Sequence, residues 1–167
     1  MQKYLLLLLA LAIGGSVAAQ QPAATTYRAT VHKTNDLVHT RLDVRFDYAR
    51  RYLYGKAELT LKPHGTATDS LLLDAQGMEI RSVGTRNEKL GVPEALFSLP
   101  FAYDKRTLKI GLERRVPAGE PYTVYIDYIA KPDELGAKGS AAIGDAKGLY
   151  FINPDSAIAG KPVQIWT

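Results

Sequence analysis

Val38-His39-Thr40-Arg41-Leu42-Asp43-Val44-Arg45-Phe46-Asp47 decides the fold class. Val38, Thr40, Leu42, Val44 and Phe46 fall on one side, and His39, Arg41, Asp43, Arg45 and Asp47 on the other. A period of two is the signature of a half-buried strand, since successive strand side chains point to opposite faces. The spacing predicts Leu42, Val44 and Phe46 inside, each contributing about 1.5–3 kcal/mol on burial.

Alternation resumes after Ala49-Arg50-Arg51, with Leu53, Ala57, Leu59 and Leu61 facing one way and Tyr52, Tyr54, Lys56, Glu58, Thr60 and Lys62 the other. The two segments read as a long hairpin. Gly55 inside the second predicts a bulge or a close backbone approach, and Pro63-His64-Gly65 ends it. Further strands are expected at Ser70–Asp74, Met78–Val83, Leu96–Leu99, Thr107–Leu112 and Tyr122–Tyr128, with turns at Ala75-Gln76-Gly77, near Asp104-Lys105 and at Pro117–Glu120. Thr85–Glu94 reads as a polar loop, and Lys131–Gly148 as a long glycine-bearing loop of the kind that serves a function or rests on something else. Leu149–Ile152 and Val163–Trp166 restore apolar character, the last as a strand just beginning before Thr167. About eight strands without helical periodicity predict an all-β fold of antiparallel sandwich or saddle-like sheets.

The beginning of the chain has another character. Lys3 precedes an apolar run from Tyr4 to Ile13, and Val17-Ala18-Ala19 offers small residues for cleavage before Gln20. This is the pattern of a secretory signal peptide, and the run is shorter than the ~20 residues that span a bilayer. The expected organisation is a signal peptide over 1–19, a leader over 20–35 and a β domain over 36–167 truncated at its C-terminus. Export to the periplasm or the cell exterior follows, with no stable membrane anchor. The absence of cysteine removes any disulfide framework. Lys and Arg number 21 against 17 acids, and the basic residues are scattered or doubled at expected turns (Arg50-Arg51, Lys105-Arg106, Arg114-Arg115), so no nucleic-acid partner is expected.

Motifs for chemistry are missing. His32, His39 and His64 have neither H-E-x-x-H nor H-x-x-x-H spacing, and no G-x-S-x-G or glycine-rich phosphate loop occurs. Asp43 and Asp47, on one strand, stand about 13 Å apart, too far for paired-carboxylate hydrolysis. Tyr52, Tyr54 and Tyr125 suit a ligand groove or a half-buried β face, the second more naturally. No catalytic, cofactor-binding or metal-binding residue is assigned.

The ordered pieces Leu37–Asp47, Leu53–Ala57, Leu73–Ile80, Leu108–Ile110, Val124–Tyr128, Lys147–Ile152 and Pro162–Thr167 together resemble the opening domain of aminopeptidase N-like zinc metallopeptidases, the gluzincin aminopeptidases. The resemblance implies an N-terminal β domain that walls one side of the cleft and packs on a thermolysin-like catalytic domain of the same polypeptide. In that family the H-E-x-x-H helix and the Gly-x-Met-Glu-Asn strip lie further along, and neither stands in this chain. The chain alone is therefore expected to be inactive and zinc-free; the parent would hold zinc and take peptide substrates. Two alternatives stay open: a secreted β-sandwich module that binds carbohydrate or protein, and a scaffold relative that has lost catalysis.

Overall fold

The computed structural model describes residues 33–86, 96–135 and 147–167. The expected signal peptide, the leader up to residue 32, most of the Thr85–Glu94 loop and most of the Lys131–Gly148 loop lie outside them, and the end of the leader, Asn35, begins β1. Ten strands are described: β1 (Asn35–Asp47), β2 (Tyr52–Pro63), β3 (Thr68–Asp74), β4 (Met78–Arg86), β5 (Leu96–Ser98), β6 (Phe101–Tyr103), β7 (Thr107–Val116), β8 (Tyr122–Ala130), β9 (Tyr150–Ile152) and β10 (Gln164–Trp166). They form antiparallel sheets of five strands (β1-β2-β8-β4-β5), three strands (β3-β7-β6) and two strands (β10-β9). The all-β antiparallel expectation holds.

The expected hairpin is present. Leu42 faces Ala57, Val44 faces Gly55 and Phe46 faces Leu53 across β1 and β2. The register continues through β8, where Ala57 faces Ile126, and into β4, where Ile126 faces Val83. One face of the large sheet thus presents Leu59, Ala57, Val124, Ile126 and Val83. Against it lie Leu71, Leu108 and Ile110 of the small sheet, closed by Ala75 and Leu99 into one apolar cluster. Leu108, Ile110 and Val124 are its most completely buried side chains.

No residue of β1 belongs to that cluster, and this corrects the reading of Leu42, Val44 and Phe46 as buried. Leu42 is 56% exposed, Val44 38% and Phe46 36%. Their face is the predicted one, but the three-stranded layer packs over β2, β8 and β4, and β1 overhangs it as an edge strand. Alternation reveals which side a residue faces, not whether a second layer covers it. A second correction concerns Val38. The β1–β2 register shifts between Leu37 and His39, so Val38 sits in a bulge with no β2 residue opposite it, unlike Thr40, Leu42, Val44 and Phe46.

Gly55 marks a close approach, as one of its two sequence readings held. A Cβ there would drive into the ring of Tyr128, its cross-strand neighbour on β8. Several strands run longer than expected: β4 reaches Arg86, β7 reaches Val116 and β8 reaches Ala130. β6 was not foreseen, because Phe101-Ala102-Tyr103 is too short to display a period. Tyr103 earns its place through its hydroxyl, which donates toward the carbonyl oxygens of Ala75 (2.7 Å) and Met78 (2.8 Å) at the β3–β4 turn. The Val163–Trp166 stretch is a strand as expected, and Gln164, Ile165 and Trp166 pair with Ile152, Phe151 and Tyr150.

Candidate functional site

The polar face of the five-stranded sheet gathers chemically capable side chains from β1, β2, β8, β4 and β5. Register dictates its pattern. One row crosses the sheet as Asp43, Lys56, Asp127 and Ser82, and the next as Arg41, Glu58, Tyr125 and Gly84. These rows line an open cavity of about 470 Å³ that Arg86, Leu96 and Ser98 close on the β4–β5 side. Asp43, Glu58 and Asp127 balance Arg41, Lys56 and Arg86 there, so the lining favours neither an anion nor a cation. Lys56 lies between Asp43 and Asp127 in the register, which keeps the two carboxylates from acting as a pair.

The tyrosines of this face are already engaged. The Arg45 guanidinium sits 4.2 Å above the Tyr54 ring centroid, Arg86 stands 4.5 Å above Tyr125, and the Lys131 ammonium is 5.3 Å from Tyr52. A sugar that stacked on these rings would have to displace a cation worth about 0.5–1 kcal/mol at an exposed site. The structural reading of Tyr52, Tyr54 and Tyr125 is the one the geometry favours.

A second cluster gathers around the β1–β2 turn and could not be read from sequence, because its members lie far apart along the chain. Arg51 takes a left-handed φ of 57°, uncommon for a residue with a side chain. Its guanidinium reaches Asp133 at 3.2 Å and Asp155 at 3.1 Å, and the Lys147 ammonium holds the other oxygen of Asp133 at 2.8 Å. Asp133 and Glu134 belong to a 3-10 turn at Pro132–Glu134, where Glu134 accepts a hydrogen bond from the Tyr52 hydroxyl. Lys131, just before it, pairs with Glu79 at 2.6 Å.

The electrostatics of this cluster assign it a fastening role. The hydrogen bond from Lys147 holds the Asp133 carboxyl below the usual carboxylate range; burial opposes it, and the hydrogen bond from Arg51 adds to the lowering. Lys131 likewise lowers Glu79, and Glu79 in return raises Lys131. Acids pushed down and bases pushed up stay charged at neutral pH. A general acid or base needs the opposite displacement, toward neutrality. Burial pushes the Tyr122 hydroxyl up to about 12; it donates to the Asn35 side-chain oxygen at 2.7 Å and ties β8 to the start of β1.

Among the described residues metal chemistry has no footing in the donor set. His39 lies exposed on the polar face of β1, and His64, after β2, meets Asp36 at 3.2 Å. His32 is outside the described residues. Among the described residues no three of His, Cys, Asp and Glu converge as a metal site. Nor is any helix among them long and apolar enough to cross a membrane.

No family model matches the chain, and no curated protein matches it. Solved structures do. A two-domain M1 zinc metallopeptidase, crystallised as a mutant with L-arginine, superposes with a TM-score of 0.55 at 17% identity, covering 72% of this chain and 26% of that one. The M1 zinc metallopeptidase from Deinococcus radiodurans gives 0.53 at 17% identity, over 72% and 26% of the two chains. A mutant of the two-domain enzyme bound to L-tryptophan gives 0.54 at 17% identity, over 71% and 26%. The described chain therefore shares its fold with a β domain of the M1 zinc metallopeptidases, and it spans about a quarter of the length of the structures it matches.

Proposed function

We propose that this chain is the N-terminal β domain of an exported zinc aminopeptidase, where it packs on the catalytic domain and walls one side of the cleft in which N-terminal residues are removed from peptides. One observation carries the reading: the fold match covers most of this chain and only 26% of the M1 metallopeptidase chains. The ordered sequence resemblance from Leu37 to Thr167 supports it independently, and the apolar run before Val17-Ala18-Ala19 supports export. The described residues do not fit zinc, so in this reading they supply neither ligand nor base. Its part is to hold shape. The balanced polar face and its cation-capped tyrosines suit a wall, and the Arg51–Asp133–Lys147 fastening keeps the segment around β9 in place.

An antibody raised against this chain tests the reading in its native host. The expected product is a polypeptide several times longer than 167 residues that hydrolyses aminoacyl reporters and loses activity on chelation. The isolated chain is expected to do neither. Detection of only a short product, with no associated aminopeptidase activity, would overturn the proposal.

A further inference from the structure

β1 stands at the edge of the five-stranded sheet, and among the described residues no strand pairs with its outer side. Edge strands with exposed apolar side chains are pairing templates, and proteins blunt them with bulges, charges or proline. Here the bulge between Leu37 and His39 blunts only the N-terminal end. Thr40 to Asp47 continues as regular strand, with Leu42, Val44 and Phe46 exposed on one face.

We propose that β1 pairs antiparallel with β1 of a second copy of this chain, about a two-fold axis at Val44, to make a continuous ten-stranded sheet. The charge pattern selects this occupant. With Val44 facing Val44 of the second copy, Leu42 faces Phe46, Asp43 faces Arg45 and Arg41 faces Asp47, each contact occurring twice by symmetry. Every charged residue from Arg41 to Asp47 then meets its opposite, and every apolar one meets an apolar one.

Other registers fail on the same residues. A shift by one residue sets Val44 against Asp43 or Arg45. An axis at Asp43 sets that residue against itself and Arg41 against Arg45. An axis at Arg45 sets it against itself and Asp43 against Asp47. An axis at Leu42 keeps only the Arg41–Asp43 contact and places Leu37 against Asp47, while one at Phe46 runs into the β1–β2 turn. Like charges directly opposite each other on a sheet are destabilising, so the sequence itself specifies the register. Present contacts are compatible with it: Arg45 lies over Tyr54 and Asp47 reaches Arg50 at 3.5 Å, both on the polar face where the second copy's charges would arrive. The inference stands independently of the metallopeptidase reading, since it uses β1 alone.

Sedimentation velocity of the purified full chain over a concentration series tests it. A reversible monomer–dimer equilibrium is expected. Asp43→Arg alone and Arg45→Asp alone should each weaken the dimer by at least about tenfold, because each sets like charges together. The double variant Asp43→Arg/Arg45→Asp should restore it, since symmetry re-forms both contacts with the signs exchanged. Circular dichroism checks that each variant folds; where one does not, Arg41→Asp, Asp47→Arg and their combination make the same test through the outer contact. A monomer at every concentration overturns the proposal, as does a dimer indifferent to the single reversals or not rescued by the swap.

Discussion

Ile110 and Leu42 are both aliphatic side chains in alternating strands, yet the fold uses them differently. Ile110 has no exposed surface and lies where β7 meets the large sheet, whereas Leu42 faces the same way as the core but beyond its cover. Ile110→Ala is expected to cost about 2–5 kcal/mol, the transfer free energy plus a cavity that close-packed neighbours cannot fill. Leu42→Ala should cost under about 1 kcal/mol, as for other exposed positions. Chemical denaturation of the two variants checks the contrast, and equal losses would mean that a second layer covers β1 after all. At this scale the sequence was a faithful guide to side and a poor guide to depth. The direction of Leu42, Val44 and Phe46 follows from their spacing. Their exposure follows from the width of the β3-β7-β6 layer, which no local pattern encodes.

Among elements, the Arg51–Asp133–Lys147–Asp155 cluster does what hydrophobic contacts do elsewhere. It flanks β9, with Lys147 before the strand and Asp155 after it, and ties that segment to the β1–β2 turn. Phe151 adds edge-to-face contacts with Phe46 (6.3 Å) and Tyr48 (5.9 Å). Partly exposed ion pairs contribute only about 0.2–1 kcal/mol each, so this segment should be the first to loosen. The pH dependence has a definite sign. Asp133 has its pKa depressed in the folded state, so its contribution is complete above the unfolded carboxylate value and is lost as pH falls through the depressed one. Trp166, the only tryptophan of the chain, lies on β10 beside β9 and reports the event. Its fluorescence is expected to change on acidification before the far-ultraviolet signal of the sheets does, and Asp133→Asn should abolish that separation at neutral pH by loosening the segment beforehand. The hairpin of β1 and β2 was legible in sequence because its partners are neighbours along the chain. The cluster was not, because Arg51 and Asp155 are brought together only by the complete fold.

Over the whole molecule, the fold class, most of the strands and the resemblance to a metallopeptidase β domain could be read before any coordinates, while β6 and the pairing order could not. The sheet runs β1-β2-β8-β4-β5, so β8, the last of these five strands in the chain, occupies the centre. Nothing in the alternation of Tyr122, Val124, Ile126 and Tyr128 distinguishes a central strand from an edge. That order has a kinetic consequence. Until Tyr122–Ala130 is available, β2 and β4 each keep an open side and Val83 and Ala57 have no Ile126 between them. The β1–β2 hairpin is marginal by itself in water, and closing the sheet means joining residues roughly 70 positions apart, which belongs to the millisecond-to-second class of folding reactions. A chain emerging N-terminus first from the ribosome therefore presents its core residues before their last partner exists, and it becomes competent to fold only when Ala130 has emerged.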